Sequence, residues 1–137
     1  MSKLPTVDDY MARTLYTFLP SDNIHSAVET LLEKHLSGAP VLNEDGELVG
    51  IISKKDCLKV VYAASYHQEW GGRVDEFMHS DVQTIASGTD IIEAADLFVG
   101  SSYRRFPVMQ QGKLIGQISR HDILRALYDQ WHDNSSS

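Results

Sequence analysis

The segment Gly50-Ile-Ile-Ser-Lys-Lys-Asp56 has a close copy later in the chain, Gly116-Gln-Ile-Ser-Arg-His-Asp122. The likeness extends towards the N-terminus, where Pro40-Val41 corresponds to Pro107-Val108 once the alignment is shifted by a single position. Other matching pairs are Val7/Val74, Asp8/Asp75, Met11/Met78, Thr17/Thr84, Ile24/Ile91, Ala27/Ala94, Leu58/Leu124 and Tyr62/Tyr128. A repeat of this length indicates one supersecondary unit used twice. Two such units in one chain are expected to pack about a pseudo-twofold axis, with clefts between them.

The size and charge of the chain narrow the classes of function. The chain has 137 residues, and a repeat of about 55 residues has a size at which the burial of surface is only marginal for a stable fold. The two repeats are therefore predicted to share a core. The net charge of −7 argues against a sequence-independent nucleic-acid binder, because such a protein needs a basic surface to displace counterions. A small anionic ligand held by a few local cations remains compatible with this charge.

Cysteine content and hydropathy give further limits. The one cysteine, Cys57, excludes an internal disulfide and a cysteine-based metal site. The N-terminal residues lack the apolar run of a signal peptide, and no stretch approaches the roughly 20 apolar residues of a membrane span. We therefore expect a cytoplasmic protein that contacts neither membrane nor nucleic acid, with a polar tail disordered over residues 132–137.

The periodicity predicts the same order of elements in both repeats, each after a short lead-in that begins at Val7 or Val74. Repeat 1 is predicted to contain a strand over Leu15–Leu19, a helix from Ile24 to about His35, a hairpin of Ala39–Asn43 with Leu48–Ser53, and a helix from Lys54 to Tyr66. Repeat 2 is predicted to contain a strand over Val82–Ile85, a helix over Ile91–Val99, a hairpin of Phe106–Gln110 with Leu114–Ser119, and a helix from Arg120 to about Trp131. Turn residues before Gly46 and Gly112 indicate the hairpins. The predicted fold class is α+β. The repeats are predicted over residues 7–66 and 74–131, each including its own lead-in, with an N-terminal segment over 1–6 and a linker over 67–73.

This order of elements, the x-Pro-Val strands and the two Ser-x-x-Asp segments resemble the CBS (cystathionine beta-synthase) domain family. The likeness covers about residues 7–130. It implies a disc-like pair of β-α-β-β-α repeats with small mixed sheets, which binds an adenosine-containing ligand in the clefts between the repeats. The implied protein is a free-standing regulatory sensor or adaptor that forms a homodimer and acts on a separate effector protein. AMP, ADP and ATP are the leading ligand candidates, followed by S-adenosylmethionine.

The resemblance implies that the Ser-x-x-Asp segments hold the ribose and phosphate, through Ser53 with Asp56 and Ser119 with Asp122. A carboxylate in the first turn of a helix can accept hydrogen bonds from two ribose hydroxyls, and the serine and the helix N–H groups can face a phosphate. The same four residues also fit a capping box, which stabilises a helix without any ligand. Both interpretations can hold at once.

The two repeats differ where a phosphate needs a cation. Two residues before the proline, repeat 2 has Arg105 and repeat 1 has Gly38. The resemblance implies that a basic residue at this position reaches the phosphates, and a guanidinium can bind a phosphate through two hydrogen bonds, so Arg105 is the main phosphate candidate. Additional candidates at the helix starts and beside Arg105 are Lys54, Lys55, Arg104, Arg120 and His121, each of which is alternatively a solvated surface cation.

The adenine slot is implied by the resemblance alone. Its candidate residues are Thr17, Phe18, Ala39, Ile51, Thr84, Ile85, Phe106 and Gln117. Most of them would belong to strands or to the core without any ligand. Gln117 stands where the other repeat has Ile51, which argues against two equivalent sites.

Two competing classes of function remain open. An enzyme is disfavoured because the histidines lack the spacing of a helical metal site, and because Cys57 fits a buried hydrophobic position better than a nucleophile. No catalytic residue, metal or required cofactor is therefore predicted. A ligand-free association module is the second alternative, with the Ser-x-x-Asp segments acting only as caps. It is suggested by two aromatic stripes that would suit a homodimer, formed by Leu58, Val61, Tyr62, Tyr66 and Trp70 and by Leu124, Leu127, Tyr128 and Trp131.

Overall fold

The computed structural model describes residues 4–67 and 71–135, which group into two compact units. The first unit consists of residues 16–67 and 71–82, and the second consists of residues 4–15 and 83–135. The lead-in of repeat 2 therefore packs in the unit built by the body of repeat 1, and the lead-in of repeat 1 packs in the other unit. Both units mix helices with a small sheet, so the fold class is α+β, as the sequence predicts. None of the described helices is both long and apolar enough to cross a membrane.

The first unit contains three helices and a two-stranded antiparallel sheet. Its elements are α1 (Ile24–Glu33), β1 (Gly38–Leu42), β2 (Leu48–Ser53), α2 (Lys54–His67) and α3 (Val74–Phe77). The strand predicted over Leu15–Leu19 is reduced to a single parallel bridge between Phe18 and Val41. It ends there because the Leu19 N–H donates to the Asp22 carboxylate at 2.8 Å and so begins the turn before α1.

The second unit contains a three-stranded mixed sheet. After a 3₁₀ turn over Val7–Asp9 its elements are β3 (Ile85–Ala86), α4 (Ile91–Val99), β4 (Arg105–Gln110), β5 (Lys113–Ser119) and α5 (Arg120–Ser135). β3 pairs with β4 in parallel, and β4 pairs with β5 in antiparallel orientation. The first strand of repeat 2 is thus displaced from the predicted range Val82–Ile85. The helix α5 continues through residues 132–135, which the sequence placed in a disordered tail, because extending a formed helix is easier than starting one.

The single-position change in the alignment of the two repeats lies in the hairpin turns. In the first hairpin the Asn43 side chain accepts from the N–H groups of Asp45 and Glu47, at 3.0 and 2.9 Å, and Gly46 has φ +82°. In the second hairpin Gln111 and Gly112 both have positive φ, +50° and +78°, as a two-residue type I′ turn requires. The second turn is one residue shorter, so the flanking strands keep the same register.

Helix ends follow local signals. The Asn23 side chain caps α1 by accepting from His25 N–H at 2.7 Å, and the Asp90 side chain caps α4 by accepting from Glu93 N–H at 2.8 Å. The helix α1 ends two residues before its predicted end, because His35 takes a left-handed conformation with φ +54°.

Each unit has its own hydrophobic core, to which a lead-in contributes a fully buried valine. In the first unit Val74 joins a cluster with Ile24, Leu31, Val41 and Ile52. In the second unit Val7 joins Ala94, Phe106, Val108 and Ile118. The backbone after each valine then crosses a glycine of the second hairpin strand, at Gly50 or Gly116. These crossings fix each lead-in beside the start of a Ser-x-x-Asp segment.

Candidate functional site

Both Ser-x-x-Asp segments lie where a hairpin strand passes directly into a helix, β2 into α2 and β5 into α5. The Asp56 Oδ2 atom accepts from the Ser53 N–H at 2.9 Å and from the Ser53 hydroxyl at 2.7 Å. In the other unit the Asp122 Oδ2 atom accepts from the same two groups of Ser119, both at 2.9 Å. Each serine hydroxyl also accepts from the aspartate N–H at 3.1 Å. The predicted cap is therefore present in both repeats. It uses the Oδ2 atom of each aspartate, so the Oδ1 atom can make a separate contact.

The remaining oxygen differs between the two repeats. The Asp56 Oδ1 atom lies 2.7 Å from His79 Nε2, and the Asp56 side chain is 5% exposed. The Asp122 Oδ1 atom faces the Arg125 guanidinium at a long 3.4 Å, and the Asp122 side chain is 17% exposed. Of the two carboxylates, Asp122 is the one with an oxygen available to a ligand hydroxyl.

Arg105 lies next to Ser119 and Asp122. Arg105 pairs with Ser119 across the β4–β5 hairpin, and Pro107 pairs with Gln117. Because side chains alternate along a strand and cross-strand partners share a face, these four residues lie on one face of the hairpin. Phe106 and Ile118 lie on the opposite face, in the core. Of the predicted phosphate and adenine residues of repeat 2, Arg105, Ser119 and Gln117 thus share the face that leads to Asp122, whereas Phe106 does not.

The Arg105 side chain is half-buried and has a donor atom without a partner in the described part of the chain. Its Nε atom is buried and has no hydrogen-bond partner among the described residues. Burial lowers the pKa of the Arg105 guanidinium, and the nearby Asp122 carboxylate partly offsets that effect. Since a buried donor without a partner is costly, an anionic group at this position would stabilise the side chain. In the first unit the equivalent Gly38 offers no cation, and a Cβ there would lie 2.9 Å from the Ile52 carbonyl oxygen.

The other predicted cations are arranged differently. The Arg120 Nε atom donates to the Tyr103 carbonyl oxygen at 2.9 Å, which holds this side chain against the loop before β4. The side chains of Lys54, Lys55, Arg104 and His121 are exposed. The two lysines provide positive potential near the start of α2, and Arg104 provides it near the start of β4.

The predicted adenine residues divide into a buried and an accessible set. Phe18 and Ala39 belong to the core of the first unit, and Ile85 and Phe106 to that of the second. The other four side chains are wholly or partly accessible to solvent: Thr17, Ile51, Thr84 and Gln117. In the second unit, Thr84 directly precedes β3 and Gln117 lies on the Arg105 face of β5.

Two residues that contact the aspartates were missed by the sequence reasoning. His79 lies on Asp56, and Arg125 lies beside Asp122. A signal for Arg125 was available, because it is one helical turn after Asp122. A signal for His79 was also present in the repeat, since the alignment places it opposite Ala12, a change from a polar to an apolar side chain.

The thiol of Cys57 is predicted to be unreactive in the native protein. Cys57 is buried in the core of the first unit, and burial together with the Asp56 charge raises its pKa to about 11. At pH 7 about one thiol in ten thousand is ionised, and the thiolate is the reactive form. Iodoacetamide at pH 7 should modify the urea-unfolded chain completely while leaving the native protein unmodified. Rapid labelling of the native protein would instead identify an accessible, activated cysteine.

A family model described as the CBS domain matches this chain twice, over residues 7–63 and 74–129. The chain therefore belongs to the CBS-domain family, and its two matches form a tandem CBS pair. Among solved structures it is similar to CBSX2, whose complex with AMP is 31% identical in sequence with a TM-score of 0.80. That alignment covers 91% of this chain and 97% of CBSX2. CBSX2 is a protein of Arabidopsis thaliana.

Longer proteins contain a similar segment. MJ1225 of Methanocaldococcus jannaschii is 27% identical over 128 residues, which are 93% of this chain and 45% of that protein. An A-adding tRNA nucleotidyltransferase of Geobacter sulfurreducens is 35% identical over 124 residues, 90% of this chain and 13% of the enzyme. The chain thus spans less than half of each of these two relatives, and the similarity is limited to the aligned segment.

Proposed function

We propose that this CBS pair is a non-catalytic regulatory module that binds an adenosine-containing ligand, with AMP, ADP or ATP as the leading candidates. The binding site in the second unit is the surface formed by Arg105, Gln117, Ser119 and Asp122. The observation that carries this proposal is the buried, unpartnered Nε atom of Arg105, in the described part of the chain, beside a carboxylate that keeps one oxygen available. The AMP complex of CBSX2, which has the same fold at 31% identity, supports the class of ligand.

Each part of an adenine nucleotide has a chemical counterpart at this surface. The Oδ1 atom of Asp122 accepts a hydrogen bond from a ribose hydroxyl. This bond replaces the weak 3.4 Å contact between Oδ1 and Arg125. The Arg105 guanidinium binds a phosphate, and the exposed cation Arg104 adds long-range attraction. The adenine ring lies towards Thr84 and Gln117, the accessible members of the predicted slot in this unit.

The proposal is tested by isothermal titration of the protein with AMP, ADP, ATP, adenosine and S-adenosylmethionine, without added metal. We expect saturable binding of a phosphorylated nucleotide with about one site per chain. Binding of S-adenosylmethionine alone would contradict the phosphate role of Arg105. Absence of binding of all five compounds below millimolar concentration would contradict the sensor function.

Replacement of Arg105 by alanine should affect nucleotides selectively. A hydrogen bond to a charged group contributes about 1.5–3 kcal/mol, so R105A is expected to weaken AMP binding about tenfold to a hundredfold. Adenosine, which has no phosphate, should bind R105A and the unmodified protein within about threefold. The matched control is R104A, which removes the exposed neighbouring cation and should have a small, salt-dependent effect. Equal losses of affinity for AMP and for adenosine would show that Arg105 supports the folded structure and does not bind the phosphate.

A second candidate function is association through the helices, and the exposure of the aromatic stripes favours it. In the first unit Leu58, Val61, Tyr62 and Tyr66 are exposed along α2, while Trp70 lies outside the described residues. In the second unit Leu124, Tyr128 and Trp131 are exposed along α5, and Leu127 is half-buried against the core. Exposed apolar surfaces that recur at equivalent positions are typical of an interface, and we propose that they form a homodimer.

The dimer is tested by replacing Leu124 with glutamate. Light scattering of the unmodified protein at micromolar concentration should give twice the mass of the chain. L124E should give the monomer mass, because a charge in an apolar interface loses its hydration without a partner. E29K, at an exposed position of α1 and so on a helix that carries neither stripe, serves as the control and should leave the dimer intact. A monomer mass for the unmodified protein would contradict the proposal.

A sensor of this kind needs a recipient for its signal. A ligand changes an equilibrium only through its different affinities for the two states. We propose that the recipient is a separate effector protein or the dimer equilibrium itself. The cytoplasm stays the expected compartment from the sequence.

A further inference from the structure

We propose that His79 is an internal competitor for the Ser53/Asp56 carboxylate, so that an adenosine ligand binds the second unit and is kept out of the first. This inference rests on the proposed function, since it concerns the repeat-1 counterpart of the same site. The observation behind it is the contact of 2.7 Å between His79 Nε2 and Asp56 Oδ1.

The hydrogen-bonding capacity of Asp56 is already used inside the protein. Its Oδ2 atom accepts from the N–H and the hydroxyl of Ser53, at 2.9 and 2.7 Å, and its Oδ1 atom faces His79. With 5% of the side chain exposed, a ribose hydroxyl has no open approach to this carboxylate. Beside Asp56, the ring of His79 thus occupies the position that corresponds to the proposed ribose position beside Asp122 in the second unit.

The backbone holds His79 at this position, and the same backbone arrangement exists in the other unit without the ring. The His79 N–H donates to the Ile51 carbonyl oxygen, and the Ile51 N–H donates to the His79 carbonyl oxygen, both at 2.9 Å. Ala12 and Gln117 make the same two hydrogen bonds, also at 2.9 Å. The alignment of the repeats relates His79 to Ala12. Whether the carboxylate is covered therefore depends on one side chain at one equivalent position.

The side chain of His79 lies at the surface and does not belong to the hydrophobic core. Its side chain is 63% exposed, and the contact with Asp56 holds the ring at the carboxylate. Replacing it with alanine removes no core packing and reproduces the residue found in the other unit. The variant H79A should consequently fold and leave the Oδ1 atom of Asp56 accessible.

The uncovered carboxylate would take a different kind of ligand from the site in the second unit. Gly38 stands in place of Arg105, and Ile51 in place of Gln117. With no guanidinium for a phosphate, the carboxylate of Asp56 favours a nucleoside over a nucleotide. The effect of His79 is therefore best measured with adenosine, and AMP serves as the comparison.

The test is isothermal titration of adenosine into the unmodified protein, H79A and the double variant H79A/D122A. We expect one site per chain for the unmodified protein and two for H79A. In the double variant one site should keep its affinity, while that of the other falls about tenfold to a hundredfold. AMP should bind no more tightly than adenosine at the site in the first unit. Two sites in the unmodified protein, or no added site in a folded H79A, would overturn the proposal. If the unmodified protein binds nothing while H79A binds one equivalent, the proposed function of the second unit fails and the role of His79 stands.

A reciprocal substitution provides a check that does not depend on the folding of H79A. A12H places a histidine at the equivalent position beside Asp122, while the pair of His79 and Asp56 stays intact. We expect A12H to weaken adenosine binding in the second unit at least tenfold. The matched control A12S keeps a small side chain and should bind as the unmodified protein does. Equal affinities of A12H and A12S would overturn the proposal.

Discussion

Replacing Asp122 with alanine should lower the affinity for AMP about tenfold to a hundredfold. The variant loses a charge-assisted hydrogen bond to the ribose, which contributes about 1.5–3 kcal/mol. Asp122 is suited to this role because its Oδ2 atom is fixed by Ser119 while its Oδ1 atom faces Arg125 at a long 3.4 Å. Titration calorimetry of D122A with AMP and with adenosine measures the effect, and the two ligands should lose affinity equally because both carry the ribose.

The same substitution also removes a helix cap, so its effect on stability must be measured beside its effect on binding. Loss of the cap of α5 is expected to cost about 1 kcal/mol of unfolding free energy. D56A is the matched control, since it removes the equivalent cap of α2 while its carboxylate is already taken by His79. We expect D56A to bind AMP as the unmodified protein does. Unchanged AMP affinity in D122A would remove Asp122 from the site.

Replacing Gly116 with valine should destabilise the second unit by about 2–3 kcal/mol, the cost of forcing extra atoms into a packed region. A Cβ at this position would lie 2.5 Å from Met11 Sδ and 2.9 Å from the Ala12 carbonyl oxygen. The methionine can change rotamer, but the Ala12 carbonyl is held by the Gln117 N–H at 2.9 Å. The backbone crossing between the lead-in and β5 must therefore separate, which also disturbs the surface that carries Gln117.

Urea unfolding of G116V monitored by circular dichroism gives the magnitude. G50V should behave similarly in the first unit, because a Cβ there would lie 2.6 Å from Met78 Sδ and 2.8 Å from the His79 carbonyl oxygen. The control is G71A, whose added Cβ meets nothing within 4 Å, and its unfolding free energy should stay within about 0.5 kcal/mol of the unmodified protein. A G116V midpoint equal to that of G71A would show that the lead-in does not pack on β5 as described.

The part of the site that could be predicted consists of residues close together in the chain. Ser119 and Asp122 are joined by a capping pattern that can be read directly from the sequence. The candidacy of Arg105 came from the resemblance to the family, and the comparison of the two repeats added that Gly38 occupies the equivalent place in repeat 1. The attachment of Arg120 to the Tyr103 carbonyl could not be predicted in the same way, because it depends on the path of the loop before β4.

The amino-acid sequence by itself determined the family, the α+β class, the hairpins and most helix boundaries. These features depend on local chemistry: glycine in turns that need positive φ, Asn23 and Asp90 as helix caps, and hydrophobic periodicity along each helix. Only the tertiary structure decided which hairpin each lead-in crosses and which carboxylate remains open. Met11 is followed by Ala12 and packs at Gly116, whereas Met78 is followed by His79 and packs at Gly50. Two nearly identical hairpins offer equivalent partners to a lead-in, and local sequence patterns contain no information that distinguishes between them.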